Sequence, residues 1–117
     1  MPRLFVYGTL KRGGANHGQL LGARFISEAR TEPFYRLFMI EDYPGLVEVH
    51  EDGRCVEGEL WEVDPALVDR LDAFEGTSEG LFHRGPVRLA AEEAGAVEAY
   101  FYQRSTAGKE PILRAKF

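Results

Sequence analysis

Hydrophobic positions along this chain recur mostly at strand spacing, with one stretch at helical spacing. Leu4-Phe5-Val6-Tyr7 is a short apolar run that stops at Gly8 and reads as a buried strand. Lys11 to Gly18 is polar and glycine-rich and reads as a loop, with room for one helical turn around Gln19-Leu20-Leu21. Ala23 to Arg30 has the mixed alternation of a strand, and Phe34 to Ile40 is an aromatic and apolar strand. Tyr43-Pro44-Gly45 signals a turn, after which Leu46 to Val49 resumes a strand. Glu51-Asp52-Gly53-Arg54 has the Asp-Gly signature of a hairpin turn. Cys55 to Val63 alternates as a longer strand, with Val56, Gly58, Leu60 and Glu62 on one face and Glu57, Glu59, Trp61 and Val63 on the other. Phe82 to Leu89 and Val97 to Gln103 give two more strands, linked through Glu92 to Gly95. From about residue 105 onward no element is assigned.

The helical stretch is Asp64 to Gly76. Asp64 is a good N-cap, Pro65 fits the first helical position, and Gly76 suits the position past the end. At about 100° per residue, Leu67, Val68, Leu71 and Phe74 share one arc. Glu75 falls inside that arc, one turn after Leu71. Asp69, Arg70, Asp72 and Ala73 lie outside it. A carboxylate in this place either swings out to water or faces the core or a cleft. In the second case, burial and the negative end of the helix dipole both raise its pKa, which suits a general base.

Strands that follow one another at hairpin distance, with one helix, predict an α+β fold. The expected architecture is a small mixed or antiparallel β-barrel of about six or seven strands with one main flanking helix. At 117 residues and 44% hydrophobic, residues 1–117 read as a single domain with one core. A net charge of −5 argues against a nucleic-acid partner. No apolar run approaches membrane-spanning length, and the chain's one cysteine, Cys55, fits a reducing compartment, so a cytoplasmic protein is expected.

Few side-chain patterns point to chemistry on spacing alone. Tyr7-Gly8-Thr9-Leu10-Lys11-Arg12-Gly13-Gly14 runs a strand into a loop whose backbone N–H groups can form an anion nest. The same segment also reads as an ordinary strand exit. It lacks the Lys-Ser/Thr of a nucleotide-phosphate loop. His17, His50 and His83 are scattered without metal-ligand spacing. Cys55 reads as a packing residue, and no Gly-x-Ser-x-Gly is present. Tyr100 and Tyr102 share a strand face, as a barrel lining or as phenols aimed at a ligand.

Taken in order, Val6-Tyr7-Gly8-Thr9-Leu10, Tyr43-Pro44-Gly45, Val56-Glu57-Gly58-Glu59-Leu60-Trp61, Leu71-Asp72-Ala73-Phe74-Glu75 and Ala99-Tyr100-Phe101-Tyr102 resemble the gamma-glutamylcyclotransferase-like superfamily, most of all its small gamma-glutamylamine cyclotransferase branch. The resemblance covers roughly residues 3 to 104. It implies a small β-barrel with flanking helices. It also implies release of 5-oxoproline and a free amine from a gamma-glutamyl amine or peptide, by attack of the substrate's own α-amine. Carried over residue by residue, Glu75 is the expected catalytic base, and Tyr7, Gly8, Thr9, Leu10 and Tyr100 are the expected substrate-binding residues. The chemistry implied needs no metal and no organic cofactor, and the partner is a small gamma-glutamyl substrate. Lys11 and Arg12 read as exposed loop charges. A binding protein without turnover, and an enzyme acting on a larger gamma-glutamylated metabolite or carrier, are the two rival readings. The oligomeric state stays open.

Overall fold

A computed structural model describes residues 2–90, 96–113 and 117. The expected link from Glu92 to Gly95 lies outside the described residues. Among the described residues, eight strands form one mixed sheet: β1 (Arg3–Val6), β2 (Arg24–Arg30), β3 (Tyr35–Met39), β4 (Pro44–Glu48), β5 (Glu57–Glu62), β6 (Phe82–Pro86), β7 (Glu98–Tyr102) and β8 (Glu110–Ile112). The helix α1 (Pro65–Phe74) lies between β5 and β6 in sequence. The main path of the sheet runs β2-β5-β1-β7-β4-β3-β8, and β6 pairs with β7. The sheet curls into a half-barrel, as the α+β reading expected.

Alternation along each strand sorts side chains to two buried faces. Leu4 and Val6 of β1, Trp61 of β5, and Tyr100 and Tyr102 of β7 pack with Leu67, Val68 and Leu71 of α1. Phe5, Leu37, Leu46, Leu60 and Ala99 pack on the opposite face, enclosed by the curl of the sheet. Tyr100 and Tyr102 therefore face the helix. They do not line the barrel, whose interior takes Ala99 and partly buried Phe101 from β7.

Strand pairing departs from the hairpin expectation. The chain bends at 51–52, with Asp52 at φ 58°, but the strands on either side of the bend do not pair with each other. β5 pairs antiparallel with β1 and β2, while β4 pairs antiparallel with β3 and parallel with β7. Pro44 and Gly45, read as a turn, belong to β4. Pro44 opens the strand, where its missing N–H is tolerated. Glu110–Ile112, where no element was assigned, pairs antiparallel with β3.

β7 holds the sheet together. It pairs with β6 along its whole length, but with β1 through Leu4–Glu98 and with β4 through Leu46–Phe101, both parallel. The hydroxyl of Tyr7 stands in for a backbone rung here. It donates to the Tyr100 carbonyl at 2.7 Å and accepts from the Leu46 N–H at 3.1 Å.

Candidate active site

The helix delivers Glu75. Its N-terminus is fixed by Asp64, whose carboxylate accepts from the Leu67 N–H at 2.8 Å. Three residues on one face, Leu67, Val68 and Leu71, are at most 5% exposed and hold that face to the sheet. The helix ends because Gly76 adopts a left-handed φ of 71°, which glycine takes without steric cost. Glu75 caps that end, its N–H still bonded to the Leu71 carbonyl at 2.8 Å. Its side chain is thus placed on the buried side, as the periodicity suggested. Phe74, assigned to the same arc, is 43% exposed and forms part of a cavity rim.

A cavity of about 180 Å³ opens between the helix end and the turn after β1. Glu75 and Tyr7-Gly8-Thr9-Leu10 line it together with Tyr100, so every site residue singled out from sequence meets there. Asn16, Tyr43, Pro44, Leu81 and Phe82 also line it and were not anticipated as site residues. Burial pushes the Glu75 carboxyl from 4.5 up to about 7, by taking water from the charged form.

Gly8 is required by Pro44: a Cβ on Gly8 would stand 2.9 Å from Pro44 Cγ. Within the loop, the N–H groups of Lys11 and Asn16 donate to the carbonyls of Gly8 and Thr9, and Asn16 Nδ2 donates to Thr9 Oγ1 at 2.9 Å. The amides of Thr9 and Leu10 take no acceptor among the described residues, and both residues line the cavity.

Arg12 is exposed, as read in the sequence, but it is also a structural pin. Its backbone N–H and its Nε donate to the two oxygens of Glu59, at 3.0 and 2.9 Å, and its guanidinium lies over the Phe25 ring. Glu59, 7% exposed, also accepts from Trp61 Nε1 at 3.1 Å. Burial would raise the Glu59 carboxyl, but the donors from Arg12 and Trp61 outweigh it and hold the pKa below the ordinary range. Sequence reasoning missed Glu59, although it had placed the residue on the same strand face as Trp61 and Val63. His17 tightens the loop further, donating through Nδ1 to the Leu10 carbonyl at 2.9 Å and packing on Trp61.

Behind Tyr100 lies a charged chain. The Tyr100 hydroxyl donates to Asp72 Oδ1 at 2.7 Å. Arg84 grips both Asp72 oxygens, at 2.9 and 3.1 Å, and reaches Glu98 at 2.6 Å. Burial would raise Asp72, yet the bonds from Arg84 and Tyr100 hold it below its ordinary value. Burial and the Asp72 contact push the Tyr100 phenol well above its ordinary value, and burial and the Glu75 charge do the same to Tyr7. Both phenols stay neutral. Among the described residues no three acidic, His or Cys side chains converge on a metal position, and no helix is long and apolar enough to cross a membrane.

A curled mixed sheet, an α-helix and a sheltered carboxylate that shares a cavity with a Tyr-Gly-Thr-Leu turn make up the candidate site. The family described as gamma-glutamyl cyclotransferase, AIG2-like matches residues 4–116, and the chain belongs to that family. It is 36% identical over 124 residues to human gamma-glutamylaminecyclotransferase, covering 91% of this chain and 80% of that one. A Vibrio cholerae relative is 40% identical over 72 residues, a match that takes in 62% of this chain and spans 60% of the relative. Among solved structures, a uropathogenic E. coli-specific protein superposes with a TM-score of 0.83 at 30% identity, over 95% of this chain and 87% of that one.

Proposed function

We propose that the chain is a gamma-glutamyl cyclotransferase that converts a gamma-glutamyl amine or peptide into 5-oxoproline and a free amine. The observation that carries the reading is Glu75: a carboxyl with a pKa of about 7, in a cavity shared with the Tyr7–Leu10 turn. The substrate's α-amine is ammonium at neutral pH and cannot attack. Glu75 takes one proton from it, and the freed amine attacks the γ-carbonyl. A nitrogen–carbon bond closes the five-membered lactam as the carbon–nitrogen bond to the leaving amine breaks. The proton on Glu75 passes to that leaving amine, and Glu75 then relays the second proton that the ring nitrogen sheds on becoming an amide, so the amine departs as ammonium and Glu75 ends as the carboxylate; acid and base are one group, and its pKa near neutrality suits both roles. The free amides of Thr9 and Leu10 are suited to hold the α-carboxylate or the developing oxyanion. The walls hold the substrate folded, so that amine and carbonyl meet. Membership of the family and the name of the human relative support this activity. The reading carries with it a small-molecule substrate and a cytoplasmic setting, the latter supported by a lone free cysteine.

The test is 5-oxoproline release from a panel of gamma-glutamyl dipeptides, gamma-glutamyl-ε-lysine and gamma-glutamyl alkylamines. At least one is expected to turn over. Glu75→Gln is expected to lower kcat by about 10²–10⁴, the contribution of a positioned base, while leaving binding largely intact. Near-normal kcat in that variant would remove Glu75 from the mechanism.

A further inference from the structure

The chain Glu98–Arg84–Asp72–Tyr100 ends at the cavity; in it Arg84 donates to both carboxylates, and Tyr100 donates to Asp72 from the cavity side. Asp72 is ionised, because Arg84 occupies both of its oxygens and Tyr100 donates to one of them. A carboxylate only accepts, so the Tyr100 proton is committed to Asp72. Glu98 secures the other side of Arg84, which keeps the Asp72 carboxylate from turning away. The carbonyl of Tyr100 is fixed as well, by the Tyr7 hydroxyl. What the phenol has left to offer a ligand is its oxygen lone pairs.

We propose that Asp72, clamped by Arg84, fixes the Tyr100 hydroxyl as a hydrogen-bond acceptor toward the cavity, and that this acceptor seats the substrate's α-ammonium beside Glu75. The proposal rests on the cyclotransferase reading and gives the site a polarity. The wall formed by Glu75 and Tyr100 accepts hydrogen bonds, while the wall formed by the Thr9 and Leu10 amides donates them. A gamma-glutamyl group carries its ammonium and its carboxylate on one carbon, so two opposed walls fix its orientation before the proton moves. Asp72 is then a positioning residue: it acts on the ammonium only through Tyr100. An oxygen ligand such as a carboxylate or a carbonyl is turned away from Tyr100 for the same reason.

The experiment compares two ligands that differ by the amine alone, L-γ-glutamyl-n-butylamide and its desamino counterpart N-butylglutaramic acid. Dissociation constants are measured by calorimetry in a Glu75→Gln background, where the first ligand is not consumed. Tyr100→Phe is expected to weaken the amine-bearing ligand about tenfold, as for loss of one charge-assisted hydrogen bond, and to leave the desamino ligand within about twofold. Asp72→Ala is expected to reproduce that selectivity loss, and Asp72→Ala with Tyr100→Phe is expected to be no worse than either alone, because both remove one interaction. Equal weakening of both ligands, additive losses, or no loss in Tyr100→Phe overturns the proposal. If Asp72→Ala does not fold, the Tyr100→Phe comparison decides by itself. Release of 5-oxoproline from the butylamide by the unmutated protein reports separately on the activity. Turnover without amine selectivity sinks the ammonium seat alone; selectivity without turnover sinks the cyclotransferase reading alone.

Discussion

Replacing Glu75 by Gln is expected to stabilise the protein at alkaline pH while removing its base. Burial raises the carboxyl from 4.5 to about 7, so the folded state holds the Glu75 proton over a range in which the unfolded chain has released it. Ionising the group in its folded site then costs about 3 kcal/mol, at about 1.4 kcal/mol per pH unit between the two values. The sign follows from the direction. Below 4.5 the group is protonated in both states and costs nothing; the penalty grows as pH rises from 4.5 toward 7 and is complete above it. Glutamine has the same shape and never pays that penalty. Urea unfolding of both proteins from pH 5 to 9 gives the difference directly. Glu75→Gln should exceed the parent by less than about 1 kcal/mol at pH 5 and by about 3 kcal/mol, as an upper figure, at the alkaline end. A difference curve that is flat with pH, or that favours the parent as pH rises, refutes a sheltered Glu75.

Three further outcomes follow from the site. The acidic limb of kcat/KM is expected near pH 7, and the limb in kcat lower, because a bound ammonium favours the carboxylate; coincident limbs in the two profiles would name another base. The alkaline limb belongs to the substrate amine, since Tyr100 is pushed too high to titrate there. Gly8→Val should lose stability by about 1–3 kcal/mol through overpacking against Pro44, whatever ligand is present, and a melt identical to the parent's would show that the turn has room. Glu59→Ala leaves Trp61 Nε1 and the Arg12 amide without their acceptor, at a cost of about 1–3 kcal/mol seen in denaturant unfolding. The part of the Glu59 contribution that depends on its charge is present above its ordinary pKa of 4.5 and fades as pH falls below that, so the gap between variant and parent should narrow in acid.

The parts of this site legible in the sequence are those set by local rules. Asp64, Pro65 and Gly76 bracket the helix, and the 3.6-residue period places Glu75 beside Leu71. Gly8 drew attention in the sequence through the loop motif, and the neighbour that leaves no room for a side chain there, Pro44, is 36 residues away and belongs to another strand. The turn at 51–54 has the right residues for a hairpin, yet turn chemistry fixes only the local chain path. Which edges pair is decided by burial of β4 and β5 on opposite sides of β1 and β7. Asp72 fell outside the apolar arc and was not singled out as a site residue. Its partners Arg84 and Tyr100 come from two later strands, and no periodicity within the helix reports them. Glu110–Ile112 escaped notice because it is short and contains a proline, a composition tolerated at the sheet edge where it lies.

The position of β7 bears on how the chain reaches this state in time. Residues 98–102 supply the partner that β1 and β4 share, yet they are synthesised long after Arg3–Val6. At about 5–20 residues per second, β1 waits on the order of 5–20 s on the ribosome before its neighbour exists. Until then β1 and β4 each present an open edge of unpaired N–H and C=O groups, and the Tyr7 hydroxyl has no carbonyl to meet. Closing so long a loop is also slow, because its entropy is lost before its contacts form. A nascent or proteolysed fragment lacking residues 98–102 would therefore expose two adhesive edges at once, and such fragments are expected to self-associate rather than persist as partly active monomers.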